Sequence, residues 1–289
     1  NTLNEKLNLL ENANLDVVFL KSFDENFRNL TGEEFVRQIL VQKLNVKHII
    51  IGHDHVFGKN KSGNFELLQK LSKELNFEVE QSVTINGLHF FHTNPKGLIL
   101  YFHGNTRSIK GWAKYARDFY RYDYDVVLVD YRGFGKSTGK RGEKEMLDDM
   151  QFVYDTLAAQ YPEHHILVYG RSMGSGFATK VAADNKPRYL ILDSPYFSFK
   201  KVAERYAPFL PHRYMLRYHL RTDKWIKRVN CHTYIIHGTK DWLIPLTQSE
   251  NLQKINPNKI TLIEIPGGGH NNLPSFDEYH NFIRDILLY

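Results

Sequence analysis

The sequence is poor in cysteine and in long apolar runs, and each scarcity excludes a class of protein. Cys231 stands alone, so an intramolecular disulfide or a Cys-rich zinc site is excluded and a cytoplasmic setting is favoured. Apolar runs such as Leu98–Phe102 are far shorter than the roughly 20 residues that span a bilayer. The 289 residues suit one large domain, alone or with a fragment. The sequence begins at Asn1 rather than Met, so a signal or anchor could precede it.

Positive charge is concentrated in one segment. The formal net charge is +6, and residues 200–228 alone hold nine Lys or Arg against Glu204 and Asp223. Because this is a local patch, it is weak evidence for nucleic acid, and no nucleic-acid partner is predicted. A solvated helix face is the simplest interpretation. The alternative is a surface for anionic substrates or a membrane, since aromatic residues are interleaved with the bases.

Residues 1–84 alternate between apolar strands and helices. Strands are predicted over 15–20, 47–52 and 77–83, and helices over 3–12, 32–44 and 65–76. This order indicates parallel βαβ units, and therefore a Rossmann-like βαβαβ half-domain. The dipeptide Asn86-Gly87 lies between two strand-like runs, 77–85 and 88–93, which predicts a β-hairpin.

A second α/β series occupies residues 85–289. Its strands are predicted over 98–102, 126–129, 166–169, 189–192, 233–237 and 261–265. Its helices are predicted near 112–122, 143–160, 174–185, 248–254 and 276–288. Residues 195–230 break the alternation and are too long for a simple connection, so we expect an inserted helical cap there.

The run Gly170–Gly174 fits the pattern G-x-S-x-G in a context that gives it weight. It follows a predicted strand and opens a helix with small residues. A serine on such a sharp strand-to-helix turn exposes its hydroxyl above the sheet, so Ser172 is the candidate nucleophile.

Serine is a weak nucleophile at neutral pH, and it needs a histidine base oriented by a carboxylate. Asp241 follows the predicted strand 233–237, and His270 follows the predicted strand 261–265. The carboxyl ends of parallel strands share one edge of a sheet, so Ser172, Asp241 and His270 can meet there. Asp193 also ends a predicted strand and competes with Asp241, although it lies where the cap begins.

Acyl transfer also needs donors for the developing oxyanion. The segment His103-Gly104-Asn105 follows a predicted strand directly, and Met173 follows the candidate nucleophile. We therefore predict that the backbone amides of Asn105 and Met173 form the oxyanion hole. His103 is expected to have a structural role.

From about residue 86 to residue 289 these motifs resemble the α/β-hydrolases, in particular their short-capped, serine-aminopeptidase-like branch. The matching pieces are Leu100–Asn105, Val129–Ser137, the Ser172 turn, Asp193-Ser194-Pro195, His237-Gly238 with Asp241, and His270. The resemblance implies an α/β-hydrolase fold with a mostly parallel sheet and a short helical cap at 195–230. It also implies cleavage of a small-molecule ester or amide through an acyl-enzyme, with no metal or organic cofactor. A non-catalytic protein that keeps this fold stays open as an alternative.

Residues 1–84 resemble the latter half of the FMN adenylyltransferase domain of bacterial riboflavin kinase/FAD synthetases. The resemblance rests on Gly32–Phe35 and on Gly52–Asn64, a loop that helps to bind flavin and nucleotide in that family. The family's His-x-x-His motif and its Ser-Ser-Thr-x-x-Arg stretch are absent from the sequence, so a stand-alone transferase is disfavoured. A flavin- or nucleotide-binding remnant or a chimera stays open. His53 and His55 flank Asp54, but they lack further ligands at a spacing that would indicate a metal site.

Overall fold

The computed structural model describes residues 2–11, 15, 17–52, 55–207, 209 and 216–288. The chain divides into two compact units, Asn1–Ser82 and Val83–Tyr289. The division falls two residues before the boundary that the sequence predicts. Each unit has its own β-sheet, of two strands in the first and seven in the second.

The first unit contains one βαβ arrangement with short helices before it. Its α-helices are α1 (Leu3–Glu11), α2 (Glu25–Asn29), α3 (Gly32–Glu34) and α4 (Phe65–Leu75), with a π-helix at Phe35–Lys43 and a 3-10 turn at Lys59–Lys61. Strands β1 (His48–Ile51) and β2 (Glu78–Gln81) pair in parallel on either side of α4 in the chain. Thr31 and Glu34 form a capping box that starts α3. Asn64 caps the start of α4, and Asn76 ends it in the left-handed conformation.

The strand predicted over 15–20 is wrong at the residues that the structure describes there. Leu15 and residues 17–20 have no strand conformation, and Val17 is 84% exposed. A strand must satisfy its backbone groups through a neighbouring strand, and none pairs with this segment within the described part of the chain. Of the expected βαβαβ series, the described residues therefore form only the later βαβ unit.

The predicted hairpin at Asn86-Gly87 is also wrong. Strand β3 (Gly87–Phe90) pairs antiparallel with β5 (Tyr124–Val129), and Gly87 lies inside the strand opposite Val129. Asn86 does not form a hairpin turn, because hydrogen bonds to residues of a distant loop hold it at the start of β3. Its amide donates to Ser137 Oγ at 2.8 Å, and its side chain donates to Asp130 Oδ2 at 2.9 Å.

The second unit is built on a seven-stranded sheet that confirms the predicted α/β architecture. The strand order is β3-β5-β4-β6-β7-β8-β9, and every pairing except that of β3 is parallel. The remaining strands are β4 (Gly97–Phe102), β6 (Ile166–Arg171), β7 (Tyr189–Asp193), β8 (His232–Gly238) and β9 (Ile260–Ile265). The six strands predicted from apolar runs are all present.

Helices cover both faces of this sheet, which explains why β4, β5 and β6 are buried at every position and mostly apolar. The α-helices are α5 (Arg117–Tyr120), α6 (Glu143–Ala158), α7 (Gly174–Asp184), α8 (Phe199–Tyr206), α9 (Thr222–Trp225), α10 (Thr247–Gln253) and α11 (Asp277–Leu288). Short 3-10 helices lie at Ile109–Gly111, Ala113–Ala116, Glu163–His165, Ile226–Arg228 and Leu273–Ser275. Leu100 packs into the core beside α6 and α7, whereas Tyr101 packs on the opposite face beside α5 and α11.

The segment expected to form the cap, residues 195–230, is partly helical over the residues that the structure describes. It contains α8, α9 and the 3-10 turn after α9, while residues 208 and 210–215 lie outside the description. Glu143, at the start of α6, accepts hydrogen bonds from the backbone amides of His219 and Leu220. The Glu143 carboxylate therefore anchors the C-terminal part of this segment to the start of α6.

Candidate active site

Ser172 lies on a strained turn between β6 and α7. Its φ angle is +51°, in the left-handed region that non-glycine residues rarely adopt. The flanking glycines make the turn possible because there is no space for side chains. A Cβ on Gly174 would lie 2.1 Å from the carbonyl oxygen of Phe102, and one on Gly170 would lie 2.5 Å from the Cβ of Ala178. This close packing holds Ser172 in its strained conformation where β6 ends.

The structure brings Ser172, Asp241 and His270 together. His270 Nε2 lies 3.0 Å from Ser172 Oγ, and its Nδ1 lies 2.7 Å from Asp241 Oδ2. The three residues follow β6, β8 and β9, which end at the same edge of the sheet. Asp241 and His270 are buried, at 6% and 7% exposure, while Ser172 is half-buried and reachable by a ligand.

The Asp241 carboxylate is held in its ionised form. Its Oδ1 accepts hydrogen bonds from the amides of Leu243 and Ile244, at 2.9 and 2.8 Å. Burial alone would raise the pKa of Asp241, but hydrogen bonds from His237, His270 and the Ile244 amide together bring it well below the usual value of 3.8. An ionised carboxylate beside Nδ1 favours the tautomer with hydrogen on Nδ1. Nε2 is then left as an acceptor facing the Ser172 hydroxyl.

Asp193, the competing carboxylate, has other partners. Tyr169 donates its hydroxyl to Asp193 Oδ2 at 2.8 Å, and Ser194 donates to Oδ1 at 3.1 Å. The Nε atom of Arg171 lies 3.5 Å from Asp193 Oδ2. The structure therefore places Asp241, and not Asp193, next to His270.

Two buried residues of this network had no role in the sequence analysis. His237 is fully buried, with Nδ1 2.7 Å from Ser249 Oγ and Nε2 3.3 Å from Asp241 Oδ2. Arg171 is buried beside Ser172, and its Nη2 donates to the carbonyl oxygen of His270 at 3.1 Å. The available signals in the sequence were a histidine four residues before Asp241 and a charged residue directly before the candidate nucleophile.

The two residues predicted to supply oxyanion donors border the turn. Met173 follows Ser172 at the start of α7. A Cβ on Gly104 would lie 3.5 Å from the Cβ of Ser172, so the loop that continues to Asn105 lies against the serine. His103 is fully buried, with Nδ1 2.7 Å from the carbonyl oxygen of Gly104.

The described residues contain no group of three or more His, Cys, Asp or Glu arranged to hold a metal, and His53 and Asp54 lie outside the description. In the ranges that the structure covers, no helix has both the length and the apolarity needed to cross a membrane.

Two family models match the chain. The model described as FAD synthetase matches residues 1–89, and the model described as serine aminopeptidase, S33, matches residues 93–222. Both resemblances drawn from the sequence are confirmed.

Relatives and solved structures match the second part of the chain. The α/β hydrolase domain-containing protein aho-3 of Caenorhabditis elegans is 27% identical over 197 residues, covering 67% of this chain and 58% of the relative. The lysophosphatidylserine lipase ABHD12 of Gallus gallus is 27% identical over 178 residues, covering 55% and 47%. The structure of Est1E from Butyrivibrio proteoclasticus, with ferulic acid bound, superposes with a TM-score of 0.58 at 18% identity, covering 71% of this chain and 95% of that one. The fold of the second unit is that of the α/β-hydrolases.

Proposed function

Starting from a second unit with the α/β-hydrolase fold, we propose that the chain is a serine hydrolase that cleaves a carboxylic ester or amide through an acyl-enzyme. One observation carries the proposal: a single imidazole lies within hydrogen-bonding distance of both the Ser172 hydroxyl and the Asp241 carboxylate. This is the arrangement that makes a serine nucleophilic.

The proposed reaction has two acyl-transfer steps. Ser172 Oγ attacks the carbonyl carbon while His270 Nε2 takes the hydroxyl proton. The amides of Asn105 and Met173 stabilise the oxyanion, and the intermediate collapses as His270 returns that proton to the leaving alcohol or amine. Water then attacks the acyl-enzyme and gives a proton to His270, which returns it to Ser172 Oγ as the bond to the acyl carbon breaks and the carboxylic acid leaves. Asp241 remains ionised throughout and holds the imidazole in place.

We favour an ester with an anionic group as the substrate. The relative from Gallus gallus is named a lipase for lysophosphatidylserine, which is an anionic carboxylic ester. In this chain, α8 carries Lys201 and Arg205 on its exposed side. Tyr206, at the end of α8, donates its hydroxyl to the carbonyl oxygen of Leu243, in the loop that holds Asp241. Trp242 of that loop is 70% exposed. The two aromatic side chains thus lie beside the loop that holds Asp241, and α8 also carries the two bases, a combination that binding of an anionic amphiphile or a membrane surface would need.

The test is covalent labelling with a fluorophosphonate, which reacts with activated serines. We expect the native chain to be labelled, Ser172→Ala to lose labelling, and Ser275→Ala to keep it, since Ser275 is an exposed serine outside the site. Labelling that persists in Ser172→Ala would contradict the assignment of the nucleophile. A native chain that is folded but unlabelled would favour the non-catalytic alternative.

A second candidate function belongs to the first unit, because residues 1–89 match the FAD synthetase family. This unit has a cavity of about 260 Å³ with an aromatic lining. Its lining includes Phe23, Phe27, Phe35 and Phe57. Aromatic rings of this kind could stack on a flavin ring. Quenching of FMN fluorescence on titration with the chain, weakened by Phe57→Ala, would support flavin binding; absence of quenching would exclude it.

A further inference from the structure

Arg171 is a buried cation that the proposed reaction does not use. It immediately precedes Ser172 and is only 2% exposed. Its guanidinium lies over two aromatic rings, with Cζ 5.1 Å from the centre of the Trp112 ring and 5.2 Å from that of Tyr115. Such contacts favour a cation over an aromatic face and fix the plane of the guanidinium. Burying a cation is nevertheless costly unless it has specific partners.

The obvious partner of Arg171 is Asp193, but the two are not in direct hydrogen-bond contact. The shortest distance, from Nε to Oδ2, is 3.5 Å, and Nε has no hydrogen-bond partner within the described residues. Asp193 instead accepts hydrogen bonds from Tyr169 and Ser194. The carboxylate balances the charge of Arg171 without determining where its donors point.

One of those donors points to the loop that carries His270. Arg171 Nη2 donates to the carbonyl oxygen of His270 at 3.1 Å. This loop begins with Gly267-Gly268-Gly269, and Gly267 has a φ angle of +75°. Three successive glycines impose few limits on the backbone, so the position of His270 depends on contacts of this kind. The contact joins the residue before the candidate nucleophile to the main chain of the candidate base.

We propose that Arg171 is a positioning residue that fixes the backbone of His270, and thereby keeps its imidazole within reach of the Ser172 hydroxyl. The expected effect of Arg171 on the reaction rate rests on the proposed function. The contact by which Arg171 holds the His270 backbone does not depend on that function. Displacement of a reacting group by about 1 Å can cost on the order of 100-fold in rate. The competing explanation is that Arg171 only neutralises Asp193.

Three variants separate these explanations. Arg171→Met removes the donor and leaves Asp193 buried without a counter-charge, so we expect a lower Tm as well as slower labelling. Arg171→Met/Asp193→Asn removes both charges, and it should regain much of the lost Tm. Arg171→Lys keeps the charge and a shorter donor, and it should fall between the native chain and Arg171→Met. Arg132→Met is the matched control, because Arg132 forms a bidentate pair with Asp149 and neither residue hydrogen-bonds to Ser172 or His270 within the described residues.

Labelling rate and ester hydrolysis are measured on all four variants. If Arg171 positions His270, the double variant remains about 10- to 100-fold slow in labelling and in kcat, with KM changed by less than about twofold. The control should label at the native rate. A double variant that regains the native labelling rate would show that charge balance is the whole role of Arg171.

Amide hydrogen exchange of the peptide that spans residues 266–272 tests the anchoring of the His270 loop without relying on enzymatic activity. We expect faster exchange in the double variant than in the native chain, and native exchange in the control. Unchanged exchange in the double variant would overturn the anchoring. If the native chain is not labelled by fluorophosphonate, the proposed function fails, and the exchange data still decide whether Arg171 holds the loop.

Discussion

Asp241 is fixed by more hydrogen bonds than its contact with His270 requires. Two backbone amides hold Oδ1, and both His237 and His270 face Oδ2. Because these partners favour the carboxylate over the carboxylic acid, they act on the stability of the fold and on the tautomer of His270 at the same time.

Replacing Asp241 should therefore change both activity and acid stability. In Asp241→Asn we expect kcat to fall by about 1,000- to 10,000-fold, because the amide no longer selects the His270 tautomer with hydrogen on Nδ1. The pKa of Asp241 is depressed by folding, so its ionisation stabilises the native state above about pH 4, and this contribution is lost as the pH falls below 3.8. The stability difference between native chain and variant should shrink below that pH in urea titrations.

Asp123→Asn is the control for this experiment. The side chain of Asp123 is 44% exposed and pairs with Lys96 at 2.9 Å, and the pKa of Asp123 is also lowered, mainly by that hydrogen bond. A surface pair contributes little to stability, so this variant should keep the native kcat and nearly the native pH profile of stability. Equal loss of kcat in the two variants would contradict the role given to Asp241.

Chain position was enough to predict which three side chains the structure brings together at the candidate site, but not the buried residues that contact them. Ser172, Asp241 and His270 were predictable because each follows a strand, and parallel strands bring their carboxyl ends to one edge. Arg171 and His237 lie on the same strands, at their ends. Arg171 contacts a backbone carbonyl about 100 residues further along the chain, and His237 contacts a carboxylate four residues further along. No periodic pattern in the sequence specifies either contact.

The turn between β6 and α7 depends on close backbone contact rather than on a particular side chain. The N-terminal turn of α7 lies directly against the end of β4, where Phe102 and His103 present carbonyl oxygens. No flexible side chain stands in between to absorb added volume. Even the smallest substitution at Gly174 must move backbone.

A paired substitution of two glycines tests this element. In Gly174→Ala the new Cβ would lie 2.1 Å from the Phe102 carbonyl oxygen and 2.7 Å from that of His103. We expect a loss of about 1–3 kcal/mol in the free energy of unfolding, and slower fluorophosphonate labelling because Ser172 shifts. In Gly111→Ala, nothing lies within 4 Å of the new Cβ, so stability and labelling should be unchanged. A Gly174→Ala chain with native stability would refute the close packing.

Strands were predicted correctly where both of their faces are buried. They were predicted wrongly where distant residues decide whether the segment pairs with another strand. The predicted runs 98–102, 126–129 and 166–169 are apolar, and β4, β5 and β6, which contain them, are buried at every position, as covered strands of a parallel sheet are. Val17–Leu20 has the same apolar composition but is exposed. Asn86-Gly87 has the composition of a turn, yet Asp130 and Ser137 bind Asn86. Composition describes a residue's preference, whereas pairing depends on distant residues.

The net positive charge of the chain lies in one segment, the one expected to form the cap. Residues 200–228 hold a net charge of +7, which exceeds the +6 of the complete sequence. Part of this charge is neutralised locally, since Glu204 pairs with both Lys200 and Lys201. The exposed aromatic side chains of Tyr206, Phe209 and Trp242 lie on or beside this segment. This combination favours binding to anionic amphiphiles over binding to neutral ones.

Reversing charge on α8 should weaken binding to anionic vesicles. We expect the native chain to sediment with vesicles that contain phosphatidylserine but not with phosphatidylcholine vesicles, and Lys201→Glu/Arg205→Glu to lose most of this binding. Lys254→Glu/Lys259→Glu carries the same change of charge beside β9 and should bind as the native chain does. High salt should reduce native binding, because exposed charges are screened within about 10 Å at 0.1 M ionic strength. Equal losses in both double variants would assign binding to net charge alone, and unchanged binding in the α8 variant would leave the basic segment as an ordinary solvated surface.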